Sequence, residues 1–167
     1  QHQLVDSVRA GNLALTTPTI GAETAYVPPA GDSVAWCWKA GESSVTDNTG
    51  TIESQVCVNE EAGFSIVEWT GTGGFGSVGH GLGARPGLVI TKSRQADHWV
   101  VGVDGVTTLS SGGAPSQWLN TESFVSTNWD NSVLLDSANA ATTYFAESGI
   151  NLSGNSMLAY VWKPISG

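Results

Sequence analysis

Hydrophobic positions in this chain alternate with polar ones over five to seven residues and then give way to clusters of Gly, Ser, Thr, Asn and Pro. Phe64, Ile66 and Glu68 are set against Ser65, Val67 and Trp69; Leu88, Ile90 and Lys92 are set against Val89 and Thr91. A two-residue period is that of a β-strand, whose successive side chains point to opposite faces. It predicts strands near 3–8, 24–27, 33–39, 54–58, 64–70, 87–92, 98–103, 106–109, 133–135, 142–145 and 157–163. Helix signals are nearly absent, since the one helix-friendly run, 135–141, is too short and too polar to stand alone. Turn chemistry separates the strands, as at Asp47-Asn48-Thr49-Gly50 and Ser111-Gly112-Gly113-Ala114-Pro115. Many short strands without intervening helices imply an all-β fold, an antiparallel β-sandwich of jelly-roll or lectin-like type.

One strand pattern is written twice. Gly31-Asp32-Ser33-Val34-Ala35-Trp36-Cys37-Trp38-Lys39 returns as Gly154-Asn155-Ser156-Met157-Leu158-Ala159-Tyr160-Val161-Trp162-Lys163. His2-Gln3-Leu4-Val5 is likewise echoed by His98-Trp99-Val100-Val101, in the same order relative to the Trp-Lys ribbon. The copies lie a domain apart, so the expected organisation is one complete module, 51–167, preceded by the C-terminal part of a truncated one, 1–40. The small polar stretch 41–50 reads as the linker. Forty residues rarely hold a core alone, so 1–40 is expected to pack on the second module or on a neighbouring chain. A chain opening at Gln1 with half a module reads as a piece of a longer polypeptide. By the repeat, Cys37 stands where Val161 stands and behaves as a small apolar core residue, so Cys37 and Cys57 are expected to be free thiols. Trp36, Trp38 and Trp162, in apolar strands, also read as core.

Composition narrows the function classes. Fifteen acidic residues against six Lys plus Arg give a formal net charge of −9. Nucleic acid and anionic membranes need clustered cations, so neither is an expected partner. No run approaches the roughly 20 apolar residues of a membrane span, and no charged-then-apolar leader opens the chain. Seven tryptophans equal the four phenylalanines and three tyrosines together. Indole joins a large apolar face to an N–H donor, which suits cores, interfaces and sugar platforms alike.

The candidate chemistry is sparse. The glycine-rich run 71–86 precedes a strand rather than a helix, so it lacks the helix N-terminus a phosphate cradle needs and reads as a pair of tight turns. His80 within it is expected to tie the turn to a neighbouring carbonyl. Carboxylates at 60, 61, 68, 97, 104, 130, 136 and 147 are scattered, with no evident glycosidase pair. No nucleophile elbow and no zinc-ligand spacing occur. Asp130, Asn131 and Asp136 are the residues that would serve calcium, though no regular oxygen-ligand loop surrounds them; no cofactor is expected. The best binding candidate is Asn128-Trp129-Asp130, where a loop indole flanked by hydrogen-bonding groups would stack on a sugar. Trp129 reads equally as a plug closing the end of the sandwich, and Trp118 carries the same two readings.

Ala62-Gly63-Phe64-Ser65-Ile66-Val67, Trp69-Thr70-Gly71, Gly79-His80-Gly81-Leu82-Gly83-Ala84-Arg85-Pro86 and Leu88-Val89-Ile90-Thr91-Lys92-Ser93-Arg94 closely resemble a repeat module of tailed-phage virion proteins, common in tail-fibre and appendage proteins of phages infecting marine bacteria. The match continues through Asp97-His98-Trp99-Val100-Val101, Gln117-Trp118-Leu119-Asn120-Thr121 and Asn128-Trp129-Asp130-Asn131-Ser132 to the final Trp-Lys strand. Two departures stand out: His2 to Lys39 is shorter than His98 to Lys163, and 102–116 matches poorly. The resemblance assigns no catalytic residues. It implies a virion location and a non-enzymatic structural role, in a tail-fibre or appendage module that contacts other virion proteins or the host. A homotrimer is expected because fibres are commonly threefold. A lectin-like adhesin binding host surface glycans is the alternative, followed by a capsid decoration protein and, further off, a polysaccharide depolymerase.

Overall fold

The computed structural model describes residues 2–9, 11–17, 19–104, 117–119, 133–135, 142–145 and 151–164. The described residues are all-β. Thirteen strands are described: β1 (His2–Leu4), β2 (Leu13–Thr17), β3 (Thr24–Ala25), β4 (Val45–Asp47), β5 (Ser54–Asn59), β6 (Phe64–Thr70), β7 (Gly76–Gly79), β8 (Leu88–Ser93), β9 (Trp99–Val103), β10 (Gln117–Trp118), β11 (Val133–Leu135), β12 (Thr142–Phe145) and β13 (Ser156–Trp162). A seven-stranded antiparallel sheet, ordered β10-β9-β8-β13-β6-β5-β4, is the centre of the molecule. The sheet β11-β12-β7 packs on one of its faces to make the sandwich, and β1-β2-β3 lies on the other.

The alternation in the sequence is the alternation between these faces. From β13, Met157, Ala159 and Val161 enter one core with Val56, Val67, Trp69, Val89, Val100 and, from β7, Val78. Leu158 and Tyr160 enter the other with Phe64, Ile66, Trp99 and, from β2, Leu15. A central sheet buried on both faces explains why its strands carry apolar residues at consecutive positions instead of strict alternation with polar ones. Leu15 and Ala40, with the partly buried Leu4 and Val8, pack on this second face as a partial third layer, while residues 31–39 stay exposed.

The N-terminal layer is also held by polar bonds. The Trp99 indole N–H donates to Thr19 O at 3.0 Å, Glu23 N donates to Arg94 O at 2.9 Å and Asp97 N donates to Ile20 O at 2.7 Å. The β1–β2 connection turns through Gly11 and Asn12, both at positive φ, a conformation that Gly and Asn tolerate best.

Several expectations need correction. The predicted strand 33–39 is absent: those residues belong to no strand, whereas their repeat, β13, is paired on both edges within the sheet. The two Trp-Lys ribbons thus occupy unrelated environments. Trp36 and Trp38 are exposed rather than core, and Cys37 is exposed rather than a counterpart of buried Val161. Trp162 is partly buried against the second core. The 41–50 stretch read as linker contains β4, an edge strand paired with β5. The glycine-rich run holds turns at Gly73, Gly81 and Gly83, all with positive φ, but between them runs β7, a fully buried strand. Glycines stand at its two ends, where a side chain has no room: a Cβ at Gly76 would fall 2.6 Å from Ile52 Cδ1, and one at Gly79 would meet the Asp47 carboxylate. The predicted strand 106–109 lies outside the described residues.

Candidate binding surface

Of the residues singled out for ligand binding, Asn128, Trp129 and Asp130 lie outside the described residues, as do Asn131 and Asp136. Trp118 is described. It sits on β10 opposite Val100, packs against the sandwich core, and stacks on the His98 ring with centroids 3.9 Å apart and planes 12° from parallel. One face of this indole is therefore already taken by a protein ring.

The other polar side chains of interest are engaged in structure. His80 is buried, and its Nδ1 accepts the Leu82 amide at 3.2 Å. The ring thus ties its turn through a backbone N–H, not through the carbonyl expected from sequence. Cys57 is buried and its thiol donates to Gly41 O at 3.2 Å; burial pushes the thiol pKa up. Neither cysteine is in a disulfide. Among the described residues, no three His, Cys, Asp or Glu side chains converge as a metal site would require.

A charged cluster joins the N-terminal layer to the sheet. Arg9, with a fully buried side chain, pairs with Asp6 at 2.7 Å and with Glu23 at 3.5 Å. Arg94 bridges Glu23 at 2.8 Å and Glu68 at 3.4 Å, while the Tyr160 hydroxyl donates to Asp6 at 2.5 Å. Burial raises the Glu68 pKa, and the Arg94 charge partly offsets this. Burial also raises that of Tyr160 well above its usual value, and Asp6 adds to the shift. Guanidinium groups hold three of these carboxylates, so the cluster reads as a latch between layers.

Lys92 is a second buried cation. Its Nζ donates to Ser93 O at 2.6 Å and Gln95 O at 2.8 Å, closing the β8–β9 turn, and desolvation lowers its pKa to about 8 despite Asp97 and Glu23. The folded state gives up this proton near pH 8 while the unfolded chain keeps it to about 10.5. More protons are then bound by the unfolded state, so this residue's contribution makes stability rise with pH across that window. Urea midpoints between pH 7.5 and 9.5 should show wild type gaining on Lys92→Met as pH rises. Parallel profiles would refute the assignment.

What remains is the exposed ribbon. Val34 is 80%, Trp36 75% and Trp38 54% exposed, the last two being the most exposed indoles among the described residues. Only the C-terminal end is seated: Trp38 meets Trp162 edge-on at 5.7 Å and Phe64 at 6.5 Å, and Ala40 is buried in the second core. Beside Trp38 opens a groove of about 430 Å³, lined by Ser7, Val8, Glu42, Ser43 and Cys57 among others. Lys39 and Glu42 form an exposed ion pair at 2.9 Å on its rim. Sequence reasoning found these tryptophans but placed them in the core, because a strand pattern shows what a segment can pair with, not whether a partner is present.

Residues 26–167 match the family described as a domain of unknown function, DUF7483. The chain belongs to that family. No curated protein and no solved structure matches it. The family match takes in both Trp-Lys ribbons, exposed 31–39 near its start and β13 near its end, and leaves out β1, β2 and β3.

Proposed function

We propose that this protein is a non-enzymatic structural protein of a phage virion, a tail-fibre or appendage module that presents a surface for assembly or host contact. The observation carrying this reading is the 31–39 ribbon, with two indoles, a valine and a length of unpaired backbone held in water. Contiguous exposed apolar surface of this kind marks interaction sites, and Trp is enriched where interfaces are most tightly held. The likeness of the sequence to phage appendage modules names the assembly. The test is mass spectrometry and immunogold labelling of purified particles of the phage that encodes the chain. The protein should be recovered as a stoichiometric component; particles that lack it would end this reading.

A second reading, a glycan-binding adhesin, is favoured by the same two exposed indoles, of which Trp38 lines a groove that also presents Ser7, Ser43 and Ser44. A glycan array run with wild type, Trp36→Ala, Trp38→Ala and Trp129→Ala separates the two. Loss of signal by about tenfold or more in either ribbon variant would support sugar stacking there, in line with the worth of a well-placed aromatic contact. Loss confined to Trp129→Ala would move the site to the 128–130 loop. No signal from wild type removes the adhesin reading.

A further inference from the structure

Residues 31–39 have what a pairing strand needs, and no described part of the chain takes it up. All nine are exposed, they belong to no strand, and among the described residues no backbone–backbone hydrogen bond involves them. Val34, Trp36 and Trp38 alternate with Ser33, Ala35 and Cys37. A strand formed here would carry its large apolar side chains on one face and its small ones on the other. A large aromatic side chain buries roughly 150–250 Å². At 75% and 54% exposure, Trp36 and Trp38 leave on the order of 200–300 Å² of indole in water on each copy. The C-terminal end is already fixed, since Trp38 meets Trp162 edge-on and Ala40 is buried in the second core. The ribbon is tethered at one end and open along its length.

Charge selects the partner. The chain carries a net charge of −9, yet 26–41 holds only Asp32 and Lys39 among charged residues and is neutral. Repulsion between two copies is therefore weakest where these segments meet. The two charges also stand at opposite ends of the ribbon. Antiparallel pairing with the same segment of another copy sets each Lys39 end against an Asp32 end, whereas parallel pairing sets like against like. Lys39 is otherwise held only by its exposed ion pair with Glu42, a kind of pair that contributes little. We infer that residues 31–39 pair antiparallel with residues 31–39 of a second copy across a two-fold axis, with Trp36 near the axis and the indoles of both copies on one face. This rests on the assembly reading above and names the partner of that surface. Main-chain bonds supply affinity, as in any strand addition, and cross-strand aromatic pairs add to it. The contact is isologous and closes as a pair. Two copies bring together about 500 Å² of indole, well short of the roughly 1,200 Å² where standard interfaces begin, so the pair is weak.

The first test is self-association. The purified full-length chain, kept reduced so that exposed Cys37 does not bridge copies by oxidation, is followed by sedimentation equilibrium over a concentration series. A monomer–dimer equilibrium should appear at on the order of tens of micromolar chain, as suits so small an interface, and amides 33–37 should exchange more slowly as the dimer fraction rises. Trp36→Ser removes the central aromatic contact and Ala35→Pro a main-chain donor. Both lie at exposed positions outside the two cores. Each should raise the dissociation constant by about tenfold and leave the thermal unfolding of the monomer unchanged. A chain still monomeric at about ten times that concentration, or a dimer indifferent to both variants, overturns the inference.

The second test reverses the charges. At low salt, Asp32→Lys should weaken the dimer by about threefold or more, and Lys39→Asp added to it should restore the affinity, because opposite ends meet again. Weakening without restoration refutes the antiparallel order. A chain that stays monomeric while its glycan-array signal falls in Trp36→Ala gives the ribbon to the sugar reading and refutes self-pairing. None of these measurements uses the particle, so the pairing and the virion role fail separately.

Discussion

Replacing Arg9 with Ala should loosen the N-terminal layer from the central sheet at a cost of about 3–5 kcal/mol, the usual penalty for removing one partner of a buried ion pair. The guanidinium is wholly buried; it donates to Asp6 Oδ2 at 2.7 Å and Leu4 O at 3.0 Å, and lies 3.5 Å from Glu23 Oε2 as an ion pair. Asp6, itself only 3% exposed in its side chain, also accepts the amides of Val8 and Arg9 and the hydroxyl of Tyr160. Without the cation its charge stays buried and uncompensated, while Glu23 retains Arg94. The loss should be local at first. Native-state hydrogen exchange should show amides of β2 opening at lower denaturant than those of β6 and β13, which the sandwich core still holds. Arg9→Met combined with Asp6→Asn should cost less than Arg9→Ala alone, because it removes the buried charge together with its partner while the amide oxygen still accepts the Val8 and Arg9 N–H groups. Equal opening of all three strands, or a double variant worse than the single one, would contradict the latch.

The latch shows where sequence reading stops. Arg and Lys are among the residues least often buried, yet Arg9 and Lys92 are both buried. Only Lys92 carried a hint, since the alternation sets it on the side of Leu88 and Ile90, where the structure also puts it. The central strands were legible for a physical reason. A sheet covered on both faces needs bulky residues at consecutive positions, and Phe64–Thr70 and Ser156–Trp162 state that pattern over seven residues each. Edge and glycine strands were not legible. Val45–Asp47 is short and polar because an edge strand is wetted, and Gly76–Gly79 offers only Ser77 and Val78 to read because its end positions are crowded by Ile52 and Asp47. The ribbon at 31–39 is the instructive failure. Its local pattern is that of β13, yet pairing belongs to the partners, and in this chain one set of partners serves two candidates.

Asn151→Ala should be the other severe single change, because it breaks the bracket from which β13 departs. Asn151 is fully buried at the far end of β6. Its Oδ1 accepts the Trp69 indole N–H at 3.1 Å and the Thr72 amide at 3.2 Å; its Nδ2 donates to Thr72 Oγ1 at 3.0 Å and to Gly74 O. Backbone bonds run alongside, Gly73 N donating to Asn151 O at 2.8 Å and Gly71 N to Asn155 O at 2.9 Å. Alanine takes from the buried Trp69 indole N–H the acceptor Asn151 supplies, at about 1–3 kcal/mol, whereas the exposed Thr72 amide can turn to water. Thermal unfolding should register this, and amides 156–162 should exchange faster as the entry to the strand loosens. Trp69→Phe removes the buried donor that Asn151 serves, so the double variant should be less destabilised than the sum of the two single changes. Strict additivity would mean that Asn151 acts through the loop alone and not through the indole, and the bracket would then have no hold on β6.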